Sequence, residues 1–252
     1  LRSTIGTAPG LPRTPFNSPA LVRLLAQWDV QAAPHQPTSP APREPSGSLA
    51  ERLGLWLDWT DAIALSAALN QPTRSDTPAA AAGAGASAGA AATVQAMALG
   101  LDKLQASQAR LITTNPVYLQ GADSDGMVDV APYRRACQAR QRAMGAAIAP
   151  LRERLRGALA ATAPALAQLA RLDAILETAL AERERHVLGG VVGHIEQQFL
   201  RLRQAATTGW QARFHQHMQQ ALLAELDLRL QPAQGLLAAL RQAHGQLQDP
   251  TA

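Results

Sequence analysis

Aromatic side chains are scarce in this chain, at 4% of its 252 residues, although 47% of the residues are apolar. The apolar content is therefore mostly Ala and Leu, which lose little rotamer freedom in a helix, while residues that suit a pleated surface are few. An all-α protein with a buried core is expected. Cysteine occurs once, as Cys137, so an internal disulfide is excluded and nothing calls for an oxidising compartment. Lysine also occurs once, as Lys103, so the formal charge of +4 rests on arginine. That balance falls well short of a polycationic nucleic-acid tail. No run approaches the roughly 18 to 20 apolar residues that a membrane span needs, and no N-terminal segment joins basic residues to an apolar run of signal-peptide length. A soluble, cytoplasmic protein is expected. Leu1 stands in place of Met, which fits an alternative start codon or a few preceding residues.

What is present divides into five segments. Residues 1–31 hold a Pro- and Gly-rich tail and then a short helix, with Ser18 as N-cap, Pro19 at the first helical position, and Leu21, Leu24, Leu25 and Trp28 at helical spacing. Residues 32–47 form a Pro-rich linker. In residues 48–71, Ser48 and Glu51 make a capping box that opens an amphipathic helix. That helix is apolar on more than one side, and a sandwiched position is expected for it. Residues 72–92 are low-complexity Ala and Gly, expected to be a disordered linker. Residues 93–248 form the main helical domain. It opens with Val94, Met97, Leu101, Leu104, Gln108 and Leu111 at alternating steps of three and four, a short heptad seam that hints at a coiled coil. A loop over 113–129 leads into a long helical stretch from Val130 to Arg203. Unbroken, that stretch would span about 110 Å at about 1.5 Å per residue, so it must fold back. Pro164 marks the corner, with Thr162 as N-cap of the returning helix, and Pro150 bends the outgoing one. Gly209 ends the return. Pro232 stops the next helix and starts the last.

Catalytic and metal-binding patterns fail on spacing. His215 and His217 lie about 200° apart around a helix, and no two histidines have the i, i+4 spacing of a helical zinc pair. His194 falls on the apolar side of its helix and reads as a satisfied interior histidine. Asp123, Asp125 and Gly126 begin like a calcium loop, but that register puts Gly121 at the first ligand position and Pro132 where a bidentate Glu is required. Cys137 lies in an apolar stripe and reads as a packing residue. There is no phosphate-binding Gly-rich loop and no nucleophile elbow. No cofactor or metal is expected, and no catalytic residue stands out. An enzyme could be assembled only from distant groups such as His194, Glu225 and Asp227.

One feature rises above this background. From Tyr133 to Gly157 there are seven arginines and one acid, Glu153. Arg134, Arg135, Arg142, Arg152 and Arg156 fall within about a 100° arc, while Tyr133, Cys137, Met144, Ile148, Leu151 and Leu155 share a separate face about 60° wide. The stripe could bind nucleic-acid phosphates, meet an acidic protein partner, or pair with Asp173, Glu177, Glu182 and Glu184 once the chain folds back. Tyr133 is the only aromatic near it, which disfavours base stacking. The stretch from Phe214 to Leu230 has a packing stripe of its own, Phe214, Met218, Leu222, Leu226 and Leu230, with Glu225 and Arg229 as an i, i+4 pair.

Three segments, RTPFNSPALVRLL, APYRRACQARQRAMGAAIAPLRERLR and LLAELDLRLQPAQGLLAAL, together resemble a bacterial family of uncharacterised helical proteins, a domain of unknown function. The resemblance implies a helical protein with no assigned activity. The resemblance also implies a gene neighbourhood with proteins resembling ion-driven motor or energiser subunits and outer-membrane-type peptidoglycan-binding domains, and with it an accessory role in an envelope-linked assembly.

The expected fold is all-α: an extended helical bundle built on a long, proline-bent helical hairpin, with disordered linkers. The expected function is that of a non-catalytic interaction or scaffolding protein of the bacterial cytoplasm, pairing through helical seams with itself or a protein partner. The alternative is a nucleic-acid-binding accessory protein acting through the Arg134 to Arg156 stripe.

Overall fold

The corner at Pro164 organises the molecule, and its geometry follows from the proline. In the computed structural model, which describes residues 19–32, 57, 59–70, 84–119, 128–205 and 208–248, one helix ends at Thr162 and the next begins at Pro164. Ala163 between them is extended, at φ −159° and ψ 152°. Clash with the proline ring drives the preceding residue out of the helical region, and a proline at the first helical position lacks an N–H that would be unpaired anyway. The same effect corrects the expected cap. Ala163 holds the N-cap position with no side-chain bond, while Thr162 stays helical and donates its hydroxyl to the Ala158 carbonyl at 2.8 Å.

Six helices are described, with no strand among the described residues: α1 (Ala20–Ala32), α2 (Trp59–Asn70), α3 (Ala84–Thr113), α4 (Ala131–Thr162), α5 (Pro164–Gln204) and α6 (Trp210–Gln248). A 3-10 turn, Pro116–Leu119, lies between α3 and α4. The long hairpin of α4 and α5 is the expected one. Helices α4 and α6 pack on each other, and each also contacts α3 and α5; α1 rests on α5 and α6, and α2 on α5. The seam of α4 is buried at Tyr133, Cys137, Met144, Ile148, Leu151 and Leu155, with Leu159 added one turn on. Phe214, Met218, Leu222, Leu226 and Leu230 of α6 are buried against it.

Several boundaries differ from expectation. Pro232 does not stop a helix: α6 runs through it to Gln248. An interior proline costs about 3 kcal/mol, but an unbroken helix carries Ala233, Leu236, Leu237 and Leu240 into the same core. Each fully buried leucine is worth about 1.5–3 kcal/mol, so continuation wins. Helix α4 runs through Pro150 in the same way, with Pro150 on its exposed side. Helix α3 begins at Ala84, so residues 84–92, expected to be linker, are helical. Alanine is the best helix former, and growth outward from a packed segment needs no new nucleus, so Gly85 and Gly89 are tolerated.

The seam of α3 also departs from a heptad. Leu101 and Gln108 are buried as expected, but the next inward residue is Ile112, fully buried, while Leu111 is 41% exposed. A straight helix drifts away from a 3.5-residue repeat in this direction, so the seam is that of an ordinary packed helix. Helix α2 is not sandwiched. Ala68 is its buried residue, and Trp59, Ile63 and Leu69 are 80%, 53% and 55% exposed. Its C-terminal end is held by the Gln168 side-chain amide, which donates to the carbonyls of Ala68 and Leu69 at 3.2 and 3.0 Å. The Ser18 cap, the Pro-rich linker at 33–47, the Ser48–Glu51 capping box and residues 72–83 lie outside the described residues.

Four aromatics, Tyr133, Phe199, Trp210 and Phe214, meet where α4 begins, α5 ends and α6 begins. Tyr133 stands edge-on to Phe214 at a centroid distance of 5.0 Å, and Phe199 contacts Phe214 at 5.1 Å and Trp210 at 5.5 Å. Edge-to-face pairs of this kind add about 0.5–1.5 kcal/mol each beyond their buried area. Gly209, with φ at +77°, supplies the left-handed residue from which α6 departs.

Candidate functional site

The histidines are placed by the helix period. His215 turns toward α4, its Nε2 2.9 Å from the Tyr133 hydroxyl and its ring 5.2 Å from that of Tyr118. His217 turns the other way and stacks on Trp28 of α1 at 5.4 Å. Burial lowers the pKa of both, and for His217 the nearby Arg201 and Arg213 charges add to the effect. No group of three potential metal ligands converges among the described residues. His194 corrects its expectation: it is not interior but partly exposed, with Nδ1 3.4 Å from Asp29 of α1. Asp227 is exposed and accepts from Gln105 of α3 at 3.2 Å, so His194, Glu225 and Asp227 face three different sets of neighbours. The Asp123–Gly126 turn lies outside the described residues. Cys137 is fully buried, and burial, aided by the Glu225 and Glu196 charges, pushes its thiol up to about 12. Such a thiol is inert.

The arginine stripe divides into two parts. At its C-terminal end Arg152 grips Asp173 of α5 with two bonds, Nε at 2.8 Å and a terminal nitrogen at 2.7 Å, and lies 3.3 Å from Glu177. Arg156 reaches the same Asp173 and Glu177, and also Glu153 one turn back. Burial works against the Arg156 charge, but hydrogen bonds to Glu177, Glu153 and Asp173 outweigh it and hold the guanidinium above its ordinary range. Planar, bidentate pairs of this kind suit partly desolvated sites. At the other end Arg134 pairs with Glu196, while Arg135 and Arg142 face solvent. Two of the four acids expected opposite the stripe are there, Asp173 and Glu177; Glu184 instead turns to Arg229 of α6 at 3.1 Å.

That last contact belongs to a polar network between α4, α5 and α6. Glu225 is 0% exposed, and its Oε1 accepts from Arg229 Nε at 2.8 Å, the expected i, i+4 pair. Its Oε2 accepts from the Gln141 amide at 2.9 Å, and the same amide nitrogen donates to the Leu188 carbonyl at 2.9 Å. Gln141 thereby ties α4 to both other helices. Burial raises the Glu225 pKa, with Gln141 and Arg229 opposing and the Glu184 charge adding to the rise. Gln141 was not singled out from sequence. The available signal is its register: it lies one turn beyond Cys137, a polar residue inside an apolar seam.

Beside the network a groove of about 550 Å³ opens between the same three helices. Gly145, Ile148, Leu180, Val187, Leu228 and Pro232 contribute its apolar surface. Its charged lining is committed to partners, because Arg152 pairs with Asp173 and Glu177, and Arg229 with Glu225 and Glu184. A concavity of this size falls in the range of small-molecule sites, about 300–1,000 Å³. Gly145 leaves it open on the α4 side, since a Cβ there would meet nothing within 4 Å.

No curated protein and no solved structure matches the chain. Residues 8–242, which include all six helices but the last few residues of α6, match the family described as "Protein of unknown function (DUF3348)". With nearly the whole described fold inside that match, the chain belongs to the DUF3348 family.

Proposed function

We propose that this protein is a non-catalytic helical interaction or scaffolding protein of the bacterial cytoplasm, accessory to an envelope-linked assembly as the sequence resemblance implies. The observation that carries the reading is a helix, α2, whose large apolar residues Trp59, Ile63 and Leu69 face solvent, on a molecule that also has an open groove between three helices. An exposed apolar patch and a partly apolar groove are each features that protein-binding surfaces use. The committed charges add support: Arg152 and Arg156 are spent on Asp173 and Glu177, which leaves the chain a mixed rather than a basic surface along the hairpin. No described helix is long and apolar enough to cross a membrane. Size-exclusion chromatography with light scattering, together with capture of partners from the native host, tests the reading. A strict monomer that recovers no partner would count against it.

The second reading, nucleic-acid binding through the arginine stripe, keeps Arg135 and Arg142, exposed on one face of α4. It requires affinity that falls steeply with salt. Unchanged nucleic-acid retention after Arg135 and Arg142 become Ala would remove it.

A further inference from the structure

Helix α1 is held to α5 and α6 by one face, and a histidine lies under its largest residue. Leu21 and Trp28 are buried there, with Leu24 and Leu25 partly buried beside them. The Trp28 ring lies on the His217 ring of α6, 24° from parallel. Two polar ties come from α5. Arg201 donates to the Trp28 carbonyl at 3.0 Å, near the C-terminal end of α1 where the helix dipole favours a cation, and to Gln198 Oε1 at 2.9 Å. His194 meets Asp29 at 3.4 Å.

What His217 does under Trp28 follows from its nitrogens. Nδ1 is buried and has no hydrogen-bond partner among the described residues. A neutral imidazole carries a single N–H and can keep Nδ1 bare by holding the proton on Nε2. An imidazolium bears an N–H on both, so one would point where no acceptor stands. Its charge would also lie near two guanidinia, Arg201 of α5 and Arg213 one turn back on α6. The α1 carboxylate next to the stack, Asp29, is turned to His194. Burial, and then these two charges, lower the His217 pKa. A ring uncovered by Trp28 regains water and binds a proton more readily, so the hold on α1 is full above the ordinary imidazole pKa and weakens as pH falls through the lowered one. His194 works in the other direction, because its protonation would charge the contact with Asp29. Magnitude decides between them: Asp29 is 59% exposed, and exposed ion pairs are worth little, whereas a buried N–H without an acceptor costs its desolvation in full.

We propose that α1 is a pH-sensitive clasp: protonation of His217 loosens Trp28 from its seat on α5 and α6 and frees the helix. Release uncovers the apolar face of Leu21, Leu24, Leu25 and Trp28 together with the seat it leaves. The device stands on the contacts of α1 alone and does not depend on the interaction reading given above.

The test is hydrogen exchange of the full chain, read by mass spectrometry at about pH 7.5 and about pH 5.5, either side of the ordinary histidine pKa, and corrected for the intrinsic exchange rate at each. Protection of α1 is expected to fall about tenfold on acidification, the change that one pKa unit confers. The α6 core around Leu226 should keep more of its protection. His217→Phe keeps a stacking ring that cannot titrate and should remove the response of α1; His217→Gln, smaller and also uncharged, serves the same purpose if the first variant does not fold. His194→Ala removes the opposing contact and should deepen the response. Protection of α1 that holds or rises as pH falls overturns the proposal. So does a fall that the His217 variants retain, one that His194→Ala abolishes, or one that the α6 core shares in full, which is global unfolding.

Discussion

Glu225 is the residue on which the interior is most exposed to test, because a carboxylate with no solvent contact depends on what surrounds it. From α6 it meets Arg229, from α4 Gln141 with the Cys137 thiol nearby, and from α5 the charge of Glu184. Its raised pKa means that the folded state binds the proton more tightly than the unfolded chain does. Its stabilising contribution is therefore full below the ordinary carboxylate pKa and is lost as pH rises through the raised value. His215 and His217 act oppositely: with pKa values lowered by burial, they cost stability as pH falls through the ordinary imidazole range. Comparison with Glu225→Gln cancels the histidine contribution. In urea denaturation at two pH values, the natural protein should gain more than the variant, or lose less, on going from neutral to mildly acidic solution. An identical pH response would contradict the assignment. Arg229→Met strands the carboxylate and should cost about 3–5 kcal/mol, whereas Glu225→Gln, which keeps an acceptor and the volume, should cost no more than about 1–3 kcal/mol.

At the scale of the element, Pro232 separates two pictures of α6. If the helix is continuous, Pro232→Ala restores one backbone hydrogen bond and should raise stability by roughly 1–2 kcal/mol in chemical denaturation. A helix that ended at Pro232 would gain nothing and would lose the rigidity of the proline. The α4–α5 hairpin has its own probe in Asp173, which is shared by Arg152 and Arg156. Asp173→Asn should cost about 1–3 kcal/mol, and the loss should shrink at high salt as screening weakens the pairs it breaks.

These elements also show what was readable from sequence. The seams of α4 and α6 and the turn at Pro164 were legible, because a 3.6-residue period and a pre-proline clash are local properties of the chain. The passage of α6 through Pro232 was not, because it depends on Leu236, Leu237 and Leu240 meeting the same core. The start of α3 at Ala84 is not legible locally, because a helix nucleated in its packed part carries glycines that would not start one. Of the site, the Glu225–Arg229 pair and the Asp173 and Glu177 counter-charges could be anticipated once a hairpin was assumed. The groove could not, since it is a gap between three helices whose separation no single periodicity encodes.

For the molecule as a whole, the charge distribution argues for contact with helices over contact with phosphates. The hairpin neutralises Arg152 and Arg156 internally, so the positive surface is smaller than the sequence stripe suggested. Meanwhile α2 keeps a tryptophan 80% exposed beside two more exposed aliphatic residues. Interaction through apolar helix faces predicts association that persists, or strengthens, as salt rises, because screening does not weaken it. Association through the arginines predicts the reverse. Sedimentation equilibrium of the full chain over a wide concentration range, at low and at high salt, separates the two most directly. Contact through apolar helix faces should give a concentration-dependent increase in mass that high salt leaves intact. A mass that stays at 26.6 kDa throughout while no partner is captured, or an assembly that high salt dissolves, would contradict that reading.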